Sequence, residues 1–143
     1  MLNVGIMKMK ALISLLMMIS LITLLSCSTG IKFPISDKVP GADITLSTKT
    51  LESGNHEIII KAKNLAAANR LSPSRKLYVV WGLTATDGIR NLGMISNENA
   101  ETVNFETLTP FKLSEIFITA EDNGNLTEPA GEEITRILVK GLD

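Results

Sequence analysis

One cysteine, Cys27, and one histidine, His56, stand in a chain of 143 residues. Single copies of these residues exclude an intrachain disulfide and any zinc site assembled from several thiolates and imidazoles. Aromatic residues make up only 4% of the chain, with one tryptophan, Trp81, and one tyrosine, Tyr78. The glycine-rich phosphate loop G-x-G-x-x-G fails at every register, as does the G-x-S-x-G elbow of serine hydrolases. Charge of one sign is scarce as well. When the first 26 residues are set aside with their only charges, Lys8 and Lys10, 12 of the 14 basic groups remain to face 15 acidic ones, a balance of −3. No excess of basic charge is left to draw nucleic acid or an anionic membrane surface.

What the opening residues do contain is an address. Lys8 and Lys10 precede residues 11–25 (ALISLLMMISLITLL), an uncharged run of 15. That run is shorter than the roughly 20 apolar residues a spanning helix needs. It stops at the small residues SCSTG, so it reads as a helical signal peptide with a cleavage site. A start at Met7 or Met9 in place of Met1 would leave this run intact. Leu24-Leu25-Ser26-Cys27 resembles the lipobox of bacterial lipoproteins. The resemblance implies that Cys27 is diacylated and becomes the new N-terminus, with the lipid bilayer as its first partner. Each buried acyl methylene contributes about 0.8 kcal/mol, so two or three chains make release slow. Ser28 after the cysteine resembles the outer-membrane sorting pattern, which places the protein in the cell envelope. The expected organisation is a signal peptide over 1–26, lipidated Cys27 and a tether over 27–41, and one domain over 42–143.

Residues 28–41 (STGIKFPISDKVPG) hold two prolines and two glycines, and are expected to sustain neither helix nor ladder hydrogen bonds. Beyond them, apolar residues recur with period two in short runs punctuated by Gly, Asn, Asp and Pro, the pattern of an antiparallel sandwich or barrel. Residues 42–50 and 56–63 predict a hairpin around Glu52-Ser53-Gly54-Asn55, with Ile58, Ile60 and Ala62 on one face. The run 77–83 (LYVVWGL) is nearly all apolar and predicts a central strand buried on both sides. Asp87-Gly88 should reverse the chain into 89–95, because glycine accepts a positive φ. Runs 101–108, 115–120 and 133–139 complete the set. Residues 64–76 allow at most a helical turn before Pro73. The reading is an all-β fold, an immunoglobulin-like antiparallel sandwich of about seven strands, with Trp81 plugging its core. A small closed barrel is the alternative.

Few residues are candidates for chemistry. His56 lies beside the turn that contains Ser53, and is read as a solvated surface residue. Glu121-Asp122-Asn123-Gly124-Asn125, with Glu128 behind it, is the densest group of oxygen donors. Its spacing does not fit an EF-hand loop, and the same residue types dominate ordinary turns. Glu121 and Asp122 are adjacent, so on a strand they face opposite sides and cannot act as a glycosidase pair. Tyr78 and Trp81 are three apart and also face opposite sides, which prevents a single stacking platform. Arg70, Arg75 and Lys76 read as a solvated basic patch. These residues supply no catalytic set, cofactor site or metal site.

From Tyr78-Val79-Val80-Trp81 the order continues through Asp87-Gly88, Asn91-Leu92-Gly93, Thr109-Pro110, Ile118-Thr119-Ala120-Glu121, Gly124, Pro129, Gly131 and Ile134. This series resembles the extracytoplasmic domain of the anti-sigma-K factor family. The resemblance implies an envelope β-domain near a membrane, without the family's cytoplasmic sigma-binding segment. The chain is also similar to short lipoproteins of Bacteroidetes-type bacteria. The expected function is a membrane-anchored, non-enzymatic interaction domain that binds another envelope protein and no nucleic acid. The alternative is a glycan or small-ligand module, with loops 87–91 and 121–128 clustered at one end, around calcium in one form of that reading.

Overall fold

Where apolar residues alternate, the chain is extended. The computed structural model describes residues 30–97 and 102–139. These form eight strands: β1 (Ile31–Lys32), β2 (Asp43–Thr50), β3 (His56–Lys63), β4 (Leu77–Thr84), β5 (Ile89–Ile95), β6 (Thr102–Thr109), β7 (Leu113–Glu121) and β8 (Glu132–Leu138). A single 3-10 turn, Ala68–Arg70, lies between β3 and β4, in the stretch where the sequence allowed one. All strand pairs are antiparallel, in two sheets ordered β1-β2-β3-β6 and β5-β4-β7-β8. The chain changes sheet between β3 and β4, between β5 and β6, and between β6 and β7. The result is an immunoglobulin-like sandwich.

The core lies between the sheets. Leu46, Ile58 and Ile60 on one side meet Tyr78, Val80, Ile116 and Ile118 on the other, all fully buried. Ile59, Val79 and Phe117, each between two of these core residues, point outward, as period two requires. Three register shifts interrupt the pattern, and two of them turn a side chain inward. Val80 pairs with Gly93 but Trp81 with Asn91, so Leu92 is an extra residue and turns back toward the core. Ile118 pairs with Thr135 but Thr119 with Glu133, which makes Ile134 the extra residue on β8. This is why Ile134 and Ile137, three apart, both pack on the core while Leu138 is exposed.

Tyr78 is the sole tyrosine, and its hydroxyl donates to the Ala66 carbonyl at 2.6 Å. Burial pushes its pKa from 10 up to about 12. The phenol thus stays protonated in the fold at a pH where it ionises in the unfolded chain. Its contribution to stability is complete below pH 10 and is expected to decline as pH rises to about 12. Tyrosinate absorbance, followed with circular dichroism, checks this without interference from a second tyrosine.

Two expectations are corrected here. The segment read as a tether belongs to the domain from residue 30 onward. Ile31 and Lys32 pair with Leu46 and Thr45, and the Phe33 amide donates to the Ile44 carbonyl at 2.9 Å. Phe33 and Val39 are each 3% exposed, and Thr135 Oγ1 donates to the Pro34 carbonyl. Pro34 follows Phe33 and Pro40 follows Val39, and the Pro34 carbonyl is itself held by Thr135, so the prolines break the ladder without freeing the segment. Burying two large side chains outweighed the local turn signals. Trp81 is buried as expected, but not between the sheets. Its odd spacing from Tyr78 turns it to the outer face of β4, into a separate small core with Val79 and Phe117.

Candidate functional site

Antiparallel sheets commonly leave one face to water, yet β4 is buried on both faces because the link between β7 and β8 folds back over it. Residues 122–131 leave β7, and Leu126 packs against Val79, Trp81 and Phe117. Asn91 fastens this loop. Its Nδ2 donates to the carbonyls of Gly124, at 2.9 Å, and Leu126, at 2.8 Å, while its Oδ1 accepts from the Gly93 amide at 3.0 Å. All of its amide group is thereby engaged with backbone. Gly93 has φ 138°, and a Cβ there would stand 2.9 Å from the Phe105 ring, so both space and conformation demand glycine.

Beneath the loop runs a polar chain. Trp81 Nε1 donates to Thr119 Oγ1 at 2.8 Å, and that hydroxyl donates to Glu121 Oε1 at 2.7 Å. The same carboxylate oxygen accepts from the Ala130 amide at 3.2 Å. Glu121 is only 2% exposed. Its role is to hold the start and end of the loop together, since buried polar groups are costly unless bonded.

The neighbouring Asp122 and Asn123 are likewise engaged. Asp122 forms an ion pair with Arg75 at 2.8 Å, which corrects the reading of Arg75 as part of a solvated patch. The Asn125 amide donates to Asn123 Oδ1 at 3.0 Å, an ordinary Asx turn. Arg136 on β8 stacks over Phe117, 4.1 Å from the ring centroid, and forks onto Glu133 at 2.6 and 3.0 Å with Glu115 at 2.5 Å. The hydrogen bonds to Glu133, ahead of those to Glu115, push its pKa further up against the effect of burial. Among the described residues no group of three or more His, Cys, Asp or Glu converges as a metal site would require.

His56 corrects another expectation. It is 3% exposed, and its Nδ1 lies 3.0 Å from Thr50 Oγ1 across the hairpin. As the first residue of β3 it is flanked by Thr50 and Thr109, so the neighbouring strands cover it. Nor do loops 87–91 and 121–128 share one end. The Asp87-Gly88 turn follows Thr84, opposite Leu113, whereas Glu121 pairs with Leu77 at the far end of β4. Seven residues of strand separate those ends, about 23 Å at the usual rise. Only by folding back does the 122–131 loop reach Asn91.

Among the described residues no loop covers the outer face of the other sheet. Its outer face presents Asp43, Thr45 and Ser47 from β2, Glu57, Ile59, Lys61 and Lys63 from β3, and Asn104, Glu106 and Leu108 from β6. Asp43, Thr45, Lys61 and Lys63 line a shallow depression of about 180 Å³. That is below the roughly 300–1,000 Å³ of pockets that enclose small ligands. Lys32 pairs with Asp43 at 3.0 Å, while both lysines of β3 are exposed. Leu108 is 57% exposed at the border of this face. Sequence reasoning passed over this surface, since an outward Lys-x-Lys on a strand is also what ordinary solvation produces.

Cys27 and the run expected to be a signal peptide lie outside the described residues. Among the described residues no helix is long and apolar enough to cross a membrane. No family model matches the chain, and neither a curated protein nor a solved structure matches it. Some of the residues carrying the resemblance noted in the sequence, Trp81, Asn91, Thr119, Glu121, Gly124 and Gly131, lie where the 122–131 loop docks on its sheet.

Proposed function

We propose that the protein is a lipoprotein of a bacterial envelope, anchored through diacylated Cys27 and favouring the outer membrane, whose sandwich binds another envelope protein without catalysing a reaction. The observation that carries this reading is the asymmetry of the two faces. One is roofed by the chain's own loop, and the other, on β2, β3 and β6, has no covering loop among the described residues and only a small depression. A face whose depression, of about 180 Å³, is too small to enclose a ligand suits a protein surface better than a small molecule. Two of the carboxylates considered for calcium or acid–base chemistry are already engaged, Glu121 by Thr119 and Ala130 and Asp122 by Arg75, which favours binding over catalysis. The resemblance to the extracytoplasmic domain of the anti-sigma-K factor family supports the same setting.

Mild crosslinking in the native membrane, followed by mass spectrometry of what co-purifies, tests this reading. A near-stoichiometric partner is expected with the anchored protein, and its yield should fall with secreted Cys27→Ala. A Lys61→Glu, Lys63→Glu double variant should lose the partner while keeping the wild-type unfolding midpoint. Recovery of the same partner at full yield from the double variant would overturn the assignment of the face. Absence of any partner from the anchored protein would overturn the interaction role.

A further inference from the structure

The corrected start of the domain has a geometric consequence for how the protein sits on its membrane. β1 runs antiparallel to β2, with Ile31 opposite Leu46. A Cβ on Gly30 would stand 3.2 Å from Ser47 Oγ, so Gly30 lies beside Ser47. The N-terminal end of β1 is therefore directed toward Thr50 and the turn at residues 51–55. It has no slack to give. Phe33 and Val39 are buried, the Phe33 amide is bonded to Ile44, and Lys38 pairs with Glu132 at 2.6 Å.

Cys27 precedes Gly30 by three residues, which span at most about 11 Å when fully extended. Ser47 is three residues from Thr50, about 10 Å along the strand. An acylated Cys27 can thus reach the level of the 51–55 turn and little farther. That end of the sandwich also holds the 85–88 turn and the 110–112 link, because Thr84 is opposite Leu113 and His56 opposite Thr109. Two large apolar side chains stand exposed there, Leu108 near the end of β6 at 57% and Leu138 at the end of β8 at 63%. Charges of both signs are present at this end, with Lys49 and Lys112 beside Glu52 and Asp87, so anionic lipid is not required.

We propose that this end of the sandwich rests on the surface of the bilayer that holds the acyl chains, with Leu108 and Leu138 at the headgroup level, while residues 64–76 point away from it. The proposal rests on lipid anchoring at Cys27. It places the bare face of β2, β3 and β6 upright on the membrane, open to a neighbour in the same leaflet.

The test uses the full-length acylated protein, in which Cys27 is blocked by lipid and an introduced cysteine is the only free thiol. Glu52→Cys reports on the 51–55 turn, and Lys76→Cys on the opposite end. Both positions are exposed. Each is labelled with a thiol fluorophore in phosphatidylcholine vesicles containing a headgroup nitroxide lipid. Quenching several-fold stronger at position 52 than at position 76 is expected. Inserting about ten Gly and Ser residues between Ser28 and Thr29 lengthens the connection as a flexible coil and should reduce that ratio toward one. Equal quenching at both positions without the insertion, or stronger quenching at position 76, would overturn the proposal. The mass of the N-terminal peptide tests the anchoring separately: a Cys27 peptide without the diacylglyceryl increment means that the anchoring reading has failed and the orientation with it.

Discussion

Gly131→Ala is expected to destabilise the protein by more than about 4 kcal/mol, in the range where a single change is exceptional. A Cβ at this position would overlap the Ala120 carbonyl oxygen and lie 2.7 Å from Glu121 Oε2. The obstacle is backbone of the central β7 strand, so no side chain can rotate to relieve it. The 122–131 loop would have to lift, which breaks the bond from the Ala130 amide to Glu121 and uncovers Trp81. Folded domains hold only about 5–15 kcal/mol in total, so a large part of the variant population would be unfolded. Gly41 is the matched control, because nothing lies within 4 Å of its added Cβ. Gly41→Ala should stay within about 0.5 kcal/mol of the wild type. Urea midpoints measured by circular dichroism decide the matter, and equal midpoints for the two variants would disprove the close approach.

Trp81→Ala follows with an expected loss of about 3–5 kcal/mol, the range for removing a large buried aromatic side chain. Trp81 is fully buried and stacks on Phe117 with ring centroids 6.3 Å apart. Truncation empties the small outer core and removes the indole donor from Thr119 Oγ1. Trp81→Phe retains most of the packing and should cost less, about 1–3 kcal/mol for the lost bond and the polar groups around it. Circular dichroism is the suitable readout, since the substitution also removes the only tryptophan fluorophore. A Trp81 that served as a ligand platform would be replaceable at little cost to stability. Its place beneath the protein's own loop leads to the opposite expectation.

Both effects concern one element, the loop between β7 and β8, and they explain why acidic and turn residues concentrate there. Glu121, Asp122 and Asn123 look in sequence like a candidate cation loop. In the fold one carboxylate points inward to Thr119, the next outward to Arg75, and the asparagine closes a turn. Adjacent strand positions alternate in direction, so neighbours in sequence are separated in space. His56 shows the converse. As a lone polar residue at a predicted strand start it reads as solvated, but strands on either side of β3 cover it.

Much of the architecture follows from local pattern alone. Period-two alternation in β2, β3, β6 and β7, and the glycine turns at 54 and 88 with φ of 82° and 76°, need no distant contact to specify extended chain and reversal. The odd spacing of Tyr78 and Trp81 likewise settles that they part to opposite faces. The tertiary structure decided which faces met. The inner fate of Leu92 and Ile134 depends on bulges that a strict alternation cannot show. The docking of residues 30–41 depends on a groove formed by β2 and β8, strands far from one another in sequence. Burial of Trp81 outside the main core required a loop to turn back across the sheet and find Asn91 waiting there, 33 positions away from Gly124. Alternation acts through backbone geometry within a few residues, whereas burial is a property of surfaces brought together by the whole chain, and it is burial that separates the roofed face from the bare one.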